Sequence, residues 1–117
     1  MKKVLFMVYQ APVGTIWINE AFRTAFGMYG EDVEPSVLLI GEGVIALGKR
    51  LDPSVVGPLP VNVVLPYVER FGTAVYAVQE DMATLKVAEV DERWNVAPIS
   101  RSDLSSFVHQ FDYAVAM

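Results

Sequence analysis

The residues that could carry chemistry are few, and their spacing argues against most of the reactions they suggest. Gly41-Glu42-Gly43-Val44-Ile45-Ala46 fits G-x-G-x-x-G/A after an apolar run, a pattern that lets backbone approach a pyrophosphate at a helix start. A dinucleotide site also wants an acidic residue about 20 positions on, to hold the ribose. Residues 59–66 (LPVNVVLP) contain none, and the motif opens the second strand–helix unit instead of the first. It reads as a tight βα turn. The overlapping run 43–50 (GVIALGKR) approaches a P-loop, but Arg50 stands where a hydroxyl residue would ligate magnesium. Its VIAL core is apolar and belongs in a helix, not in a loop of exposed amides.

The single histidine, His109, follows Ser105 and Ser106 by one turn, with Asp103 and Asp112 near it in sequence. A triad needs nucleophile, base and orienter to converge in a pocket; these residues share one solvent-facing helix. Glu80 with Asp81, and Glu89 with Asp91 and Glu92, offer oxygen donors but lack the spacing of a calcium loop. They read as solvated acidic faces, Glu80 and Asp81 being favoured at a helix N-terminus. No catalytic residue, metal site or cofactor is expected from these patterns.

The absence of one residue type says more. The chain has no cysteine. That excludes disulfides, zinc–thiolate and iron–sulfur sites, and any thiol or persulfide chemistry carried by this chain.

The elements that position these residues alternate along the sequence. An apolar run at 4–9 (VLFMVY) reads as a first strand buried on both faces. Lys2 and Lys3 before it do not make a signal peptide, because the run is shorter than an h-region and no cleavage site follows. Residues 10–14 form a turn, and Thr15 caps a helix over 16–29 that stops at Gly30. Trp17 and Ala21 widen the apolar face of that helix beyond what a sheet alone would cover. An acidic turn spans 31–35. A second buried strand over 37–40 runs through Gly41–Gly43 into a central helix that ends in Lys49 and Arg50, with Glu42 at its start matching the helix dipole. Residues 51–60 are a Pro-rich loop. Val61–Leu65 is ambiguous between strand and helix; a helix over 66–71, starting earlier and kinked at Pro66, is ended by Gly72.

A third strand over 73–78 (TAVYAV) leads to Gln79, Glu80 and Asp81 and a short helix over 82–87. A polar turn at 91–93 precedes a fourth strand over 94–99, which Pro98 assigns to the sheet edge. Ser100 and Asp103 form a capping-box pattern for a last helix carrying Leu104, Phe107, Val108 and Phe111, and a fifth strand covers 113–116. Trp17, Tyr29, Tyr67, Phe71 and Trp94 are expected in the core, some at a subunit interface. This alternation predicts an α/β fold, a three-layer α/β/α sandwich around a mostly parallel five-stranded sheet, as one domain over 1–117.

In such sheets ligands bind beyond the carboxyl ends of the strands. A candidate ligand-binding edge then comprises Gln10, Gly14, Asn19, Glu20, Gly41, Glu42, Gly43, Gln79 and Asp81. The net charge of −5 leaves no basic stripe for nucleic acid or an anionic membrane. No apolar stretch reaches the length of a membrane span, and a cytoplasmic location is expected. A hydrophobic fraction of 53% calls for a sheet covered on both faces and for apolar surface buried between subunits.

Several stretches together resemble the DsrE/DsrF/DsrH-like sulfur-relay family. They are Ala11-Pro12-Val13-Gly14-Thr15 after the first strand, Ile40-Gly41-Glu42-Gly43-Val44 with Leu47-Gly48, the strand ending near Gln79-Glu80-Asp81, and the closing Ser100, Leu104 and Phe111-Asp112-Tyr113. The DsrF/TusC branch is the most similar. The resemblance implies trimers or hexamers built with DsrE/DsrH-like chains. In the family a DsrE/TusD-type subunit carries a sulfur-accepting cysteine at the end of the third strand. The matching position here is Val78, so the resemblance implies a non-catalytic, DsrF/TusC-like subunit of an oligomeric sulfur-transfer assembly. The alternative from another class is a self-assembling small-ligand-binding module with no sulfur chemistry.

Overall fold

Apolar runs without alternation become the central strands of one sheet. The computed structural model describes residues 1–10, 17–48, 64–87 and 90–117. Among them β1 (Lys2–Val8), β2 (Val33–Leu39), β3 (Ala74–Val78), β4 (Ala97–Ile99) and β5 (Tyr113–Ala116) form an all-parallel sheet ordered β4-β3-β2-β1-β5. The helices are α1 (Trp17–Gly27), α2 (Leu65–Phe71), α3 (Gln79–Thr84) and α4 (Leu104–Val108), with 3-10 helices at Gly41–Leu47, Glu92–Trp94 and Arg101–Asp103. None of these helices is long and apolar enough to cross a membrane.

The strand order fixes which face each connection covers. From β1 to β4 the chain steps one way across the sheet, so right-handed crossovers all lie on one face. The step from β4 back to β5 reverses direction and returns on the other face. The two apolar clusters divide accordingly. Val4, Phe6 and Val8 of β1 point into the larger cluster with Phe22 and Ala25 of α1, Val68 of α2, Val44, Leu47 and Trp94. Leu5, Leu38 and Val78 point the other way, onto Phe107 of α4. This is the expected three-layer α/β/α arrangement, with a thin third layer. The fourth strand lies at the sheet edge, as Pro98 requires.

Several local expectations are corrected. β2 begins at Val33, so Glu34 and Pro35 belong to the strand and not to an acidic turn. Pairing with β3 starts only at Ser36, so Pro35 sits where β2 has β1 alone as a partner, a place that tolerates a missing N–H. The central helix is a 3-10 helix ending at Leu47, before Lys49 and Arg50, which lie outside the described residues. Its geometry is set by close approach: a Cβ on Gly43 would stand 2.3 Å from the Val8 carbonyl oxygen, and Gly41 has φ +57°.

The fourth strand covers only Ala97–Ile99. Trp94 is instead buried in a 3-10 helix, its ring 5.3 Å from that of Phe22. The helix expected at 82–87 starts earlier, at Gln79, directly off β3. The last helix begins with a 3-10 turn, and its expected cap is absent: Ser100 makes no side-chain cap bond. Helix α2 ends as expected at Gly72, φ +64°, whose N–H donates to the Val68 carbonyl at 3.0 Å. Thr15, the 51–60 loop and residues 61–63 lie outside the described residues. Of the expected core aromatics, Trp94 is buried, whereas Trp17, Tyr29, Tyr67 and Phe71 keep exposed ring surface. Tyr29 and Phe71 stack at 5.2 Å.

Candidate functional site

The carboxyl ends of β2, β3 and β4 bring three turns together, and their side chains are bonded to one another. α3 starts as soon as β3 ends, which sets Glu80 and Asp81 in its first turn. Asp81 Oδ2 accepts the backbone N–H of Gly41, in the turn after β2, at 2.7 Å. Asp81 Oδ1 accepts from the Arg101 guanidinium, in the turn after β4. Glu80 reaches the same turn: Oε1 accepts the Arg101 backbone N–H at 2.9 Å and Oε2 the Ser100 hydroxyl at 3.3 Å. Ser100 and Ser102 share a hydrogen bond of 3.0 Å. Two adjacent carboxylates thus clamp the turns on either side of their own strand.

The Arg101 backbone N–H, the N–H of Glu80 itself, the Ser100 hydroxyl and the Arg101 charge hold the Glu80 carboxyl below its ordinary range. The Asp81 side chain is 14% exposed and the Arg101 side chain 51%. The inner end of the clamp is therefore drier than the outer end, and there a hydrogen bond counts for more.

The sequence-derived edge residues separate into three groups. Gln10, Gly41, Glu42, Gly43, Gln79 and Asp81 stand at the carboxyl ends of β1, β2 and β3. Glu42 and Gln79 are exposed, whereas Gly43 is buried against β1. Asn19 is buried in the first turn of α1, and Glu20 is held by Arg23 of the same helix at 2.8 Å. Arg23, first through its hydrogen bond and then through its charge, lowers the Glu20 pKa. Gly14 lies outside the described residues.

Val78 is fully buried, packed with Leu5, Leu38 and Phe107. His109 directly follows α4 as its C-terminal cap residue, its Nδ1 2.7 Å from the Ser105 carbonyl oxygen. Among the described residues no group of three or more His, Cys, Asp or Glu is arranged to hold a metal ion. The clamp presents fixed hydrogen bonds and two serine hydroxyls, that of Ser100 donating to the Glu80 carboxylate. What it does is hold three turns in place.

Ser100 is expected only as a helix cap, and Arg101 and Ser102 belong to no motif in the sequence. The signal available was indirect: opposite charges fall in turns that follow neighbouring parallel strands. A cavity of about 630 Å3 lies at the opposite, amino-terminal end of β3, between Thr73, Val75, Tyr76, Arg93, Trp94 and Asn95. A recess of about 300 Å3 lies beside the clamp, under Ser100, Asp103, Phe107 and Gln110.

No family model matches the sequence, and no curated protein matches it by sequence. The fold does have solved counterparts. The ychN protein of E. coli superposes with a TM-score of 0.81 at 13% identity, over 100% of both chains. A conserved protein of unknown function from Bacteroides thetaiotaomicron superposes with a TM-score of 0.60 at 10% identity, over 97% of this chain and 94% of its own. At these identities the likeness is one of fold.

Proposed function

We propose that this chain is a non-catalytic, DsrF/TusC-like subunit of a cytoplasmic sulfur-relay assembly. In this reading DsrE/DsrH-like partners carry the sulfur-bearing cysteine, in trimers or hexamers. The observation that carries it is the end of β3. There the family's sulfur carrier would hold a cysteine; here Val78 is sealed under Phe107 in a chain with no cysteine at all. Support for the family comes from the resemblance along the sequence, and the whole-chain likeness to the ychN protein supports the fold. The clamp fits a scaffold role, because it ties the turns after β2, β3 and β4 to one another.

The test is native mass spectrometry of the protein drawn from its own cell lysate. A complex containing related, cysteine-bearing chains is expected. A complex without such chains overturns the reading.

A second reading, a ligand-binding module, is favoured by the exposed Glu42 and Gln79 at the carboxyl edge. It predicts that a nucleotide or acidic metabolite raises the melting temperature. A flat response across a thermal-shift panel removes it.

A further inference from the structure

The two layers on the sheet are built unequally. One face carries α1, α2 and the buried Trp94. Among the described residues the other face is covered by one segment, residues 100–112, which runs from the end of β4 through α4 to the start of β5. Phe107 is the one buried side chain in that segment. It lies on Leu5, Leu38 and Val78, with its ring edge-on to Tyr76 at 4.7 Å. Leu104, Val108 and Phe111 are only partly buried against the same cluster. Toward β4 the packing stops short, leaving the recess of about 300 Å3 between Ile99, Ser106 and Gln110.

The main chain shows the same division. Among the described residues the loop bonds of this segment close within it: the N–H of Asp103 donates to Ser100, His109 to Ser105, Gln110 to Phe107 and Phe111 to Val108. Polar ties to the rest of the protein fall at its two ends. At one end Glu80 and Asp81 hold Ser100 and Arg101. At the other, Asp112 Oδ2 accepts the Lys3 backbone N–H at 2.7 Å, and the Asp112 N–H donates to the Lys3 carbonyl at 2.8 Å. The Lys3 ammonium lies over the Phe111 ring, 5.2 Å from its centre. The side-chain ties at both ends are exposed to water.

We propose that residues 100–112 form a strap that lifts off the sheet as a unit, gating the apolar face of Leu5, Leu38 and Val78 while the α1 face stays folded. Segments that open ahead of the whole protein have few buried apolar side chains and exposed polar ties. One buried ring between two exposed latches meets both conditions. Lifting the strap breaks no strand pairing, because β3–β4 pairing ends at Ile99 and β1–β5 pairing starts at Tyr113. Both ends of the strap therefore stay anchored, and the open state is a loop over an uncharged surface. The gate does not rest on the sulfur-relay reading, because every contact in it belongs to this chain.

The experiment places Val78→Cys in the otherwise cysteine-free chain and follows its reaction with an aromatic disulfide reagent at rising urea. Tryptophan fluorescence reports global unfolding, since Trp17 and Trp94 both stand outside the strap. In native buffer the thiol is expected to react at least tenfold faster than global unfolding allows, with less than half its urea dependence. Arg101→Ala is expected to speed the reaction up to about fivefold, and Asp112→Ala about three- to tenfold. Ile18→Val, which trims the α1 face, is expected to lower the fluorescence midpoint and leave the reaction rate unchanged. A thiol that reacts with the full urea dependence of global unfolding overturns the strap. So does a rate that Arg101→Ala and Asp112→Ala together leave unchanged, and so does a rate that Ile18→Val raises.

Discussion

The carboxylate of Asp81 accepts the backbone N–H of Gly41 at 2.7 Å, across 40 positions of sequence. One side chain thereby fixes the turn after β2 from the turn after β3. Its other oxygen takes the Arg101 guanidinium, but the two contacts are not equal. The bond to Gly41 is partly buried, whereas Arg101 is half in water.

That inequality gives the first prediction. Asp81→Ala is expected to cost about 1.5–3 kcal/mol, since it leaves a partly buried N–H without its charged acceptor. Arg101→Ala is expected to cost no more than about 1 kcal/mol, as for an exposed ion pair. Urea unfolding of both single variants and the double variant measures this. If Arg101→Ala proves the costlier, the clamp is held from its outer end and the account is wrong.

Gly43 makes the second. A methyl there meets the Val8 carbonyl oxygen at 2.3 Å, and backbone cannot swing aside. Gly43→Ala is expected to destabilise by about 1–3 kcal/mol, the usual cost of overpacking. Gly27→Ala, where nothing lies within 4 Å, serves as the control and should be neutral or slightly stabilising as an exposed helical glycine. Equal melting temperatures for the two variants would contradict the close approach.

Glu80 supplies a pH dependence. Its folded pKa is lowered from 4.5, first by the Arg101 backbone N–H, so the native state binds fewer protons than the unfolded chain. Its contribution to stability is complete above the ordinary glutamate value and is lost as the pH falls through the lowered one. Glu80→Gln should therefore lose more stability at pH 7 than at pH 3, the two stability curves converging on acidification. Parallel curves across that range would rule out the role assigned to Glu80.

The end of β3 can be probed by a cysteine where there was none. A Val78→Cys thiol, with no exposed surface at that position, is expected to react with a disulfide reagent orders of magnitude more slowly than one from Gln79→Cys, the exposed next residue. Both should react alike in denaturant. Rapid native labelling at position 78 would show that the β3 end is open to a sulfur donor.

Much of the fold was legible because the core strands are continuous apolar runs. The 4–9 and 73–78 runs have the composition of strands buried on both faces, and they fell within a residue or two of β1 and β3. Pro98 marked an edge, and Gly72 marked a helix end. What was not legible depended on distant partners. Pro35 looks like a turn residue until β3 is seen to begin beside Ser36. Trp94 has strand propensity, yet it is drawn out of the strand by the Phe22 ring. The 41–47 segment has a helical pattern, and only the carbonyl of Val8 explains its tighter winding. Glu80 and Asp81 read as solvated helix-start charges because nothing local reveals that Arg101 comes to lie beside them.

The pairing of Val4 with Tyr113 has a consequence in time. β1 lies between β2 and β5, so one of its flanks stays open until a strand more than a hundred residues downstream emerges. At ribosomal rates of about 5–20 residues per second, that delay is roughly 5–20 s. Throughout it Leu5 and Leu38 lack the late-made Phe107 that covers them, next to an unfilled hydrogen-bonding edge. Such contacts of long sequence separation make folding slow. Completion of the sheet is thus a late event, gated by synthesis of β5.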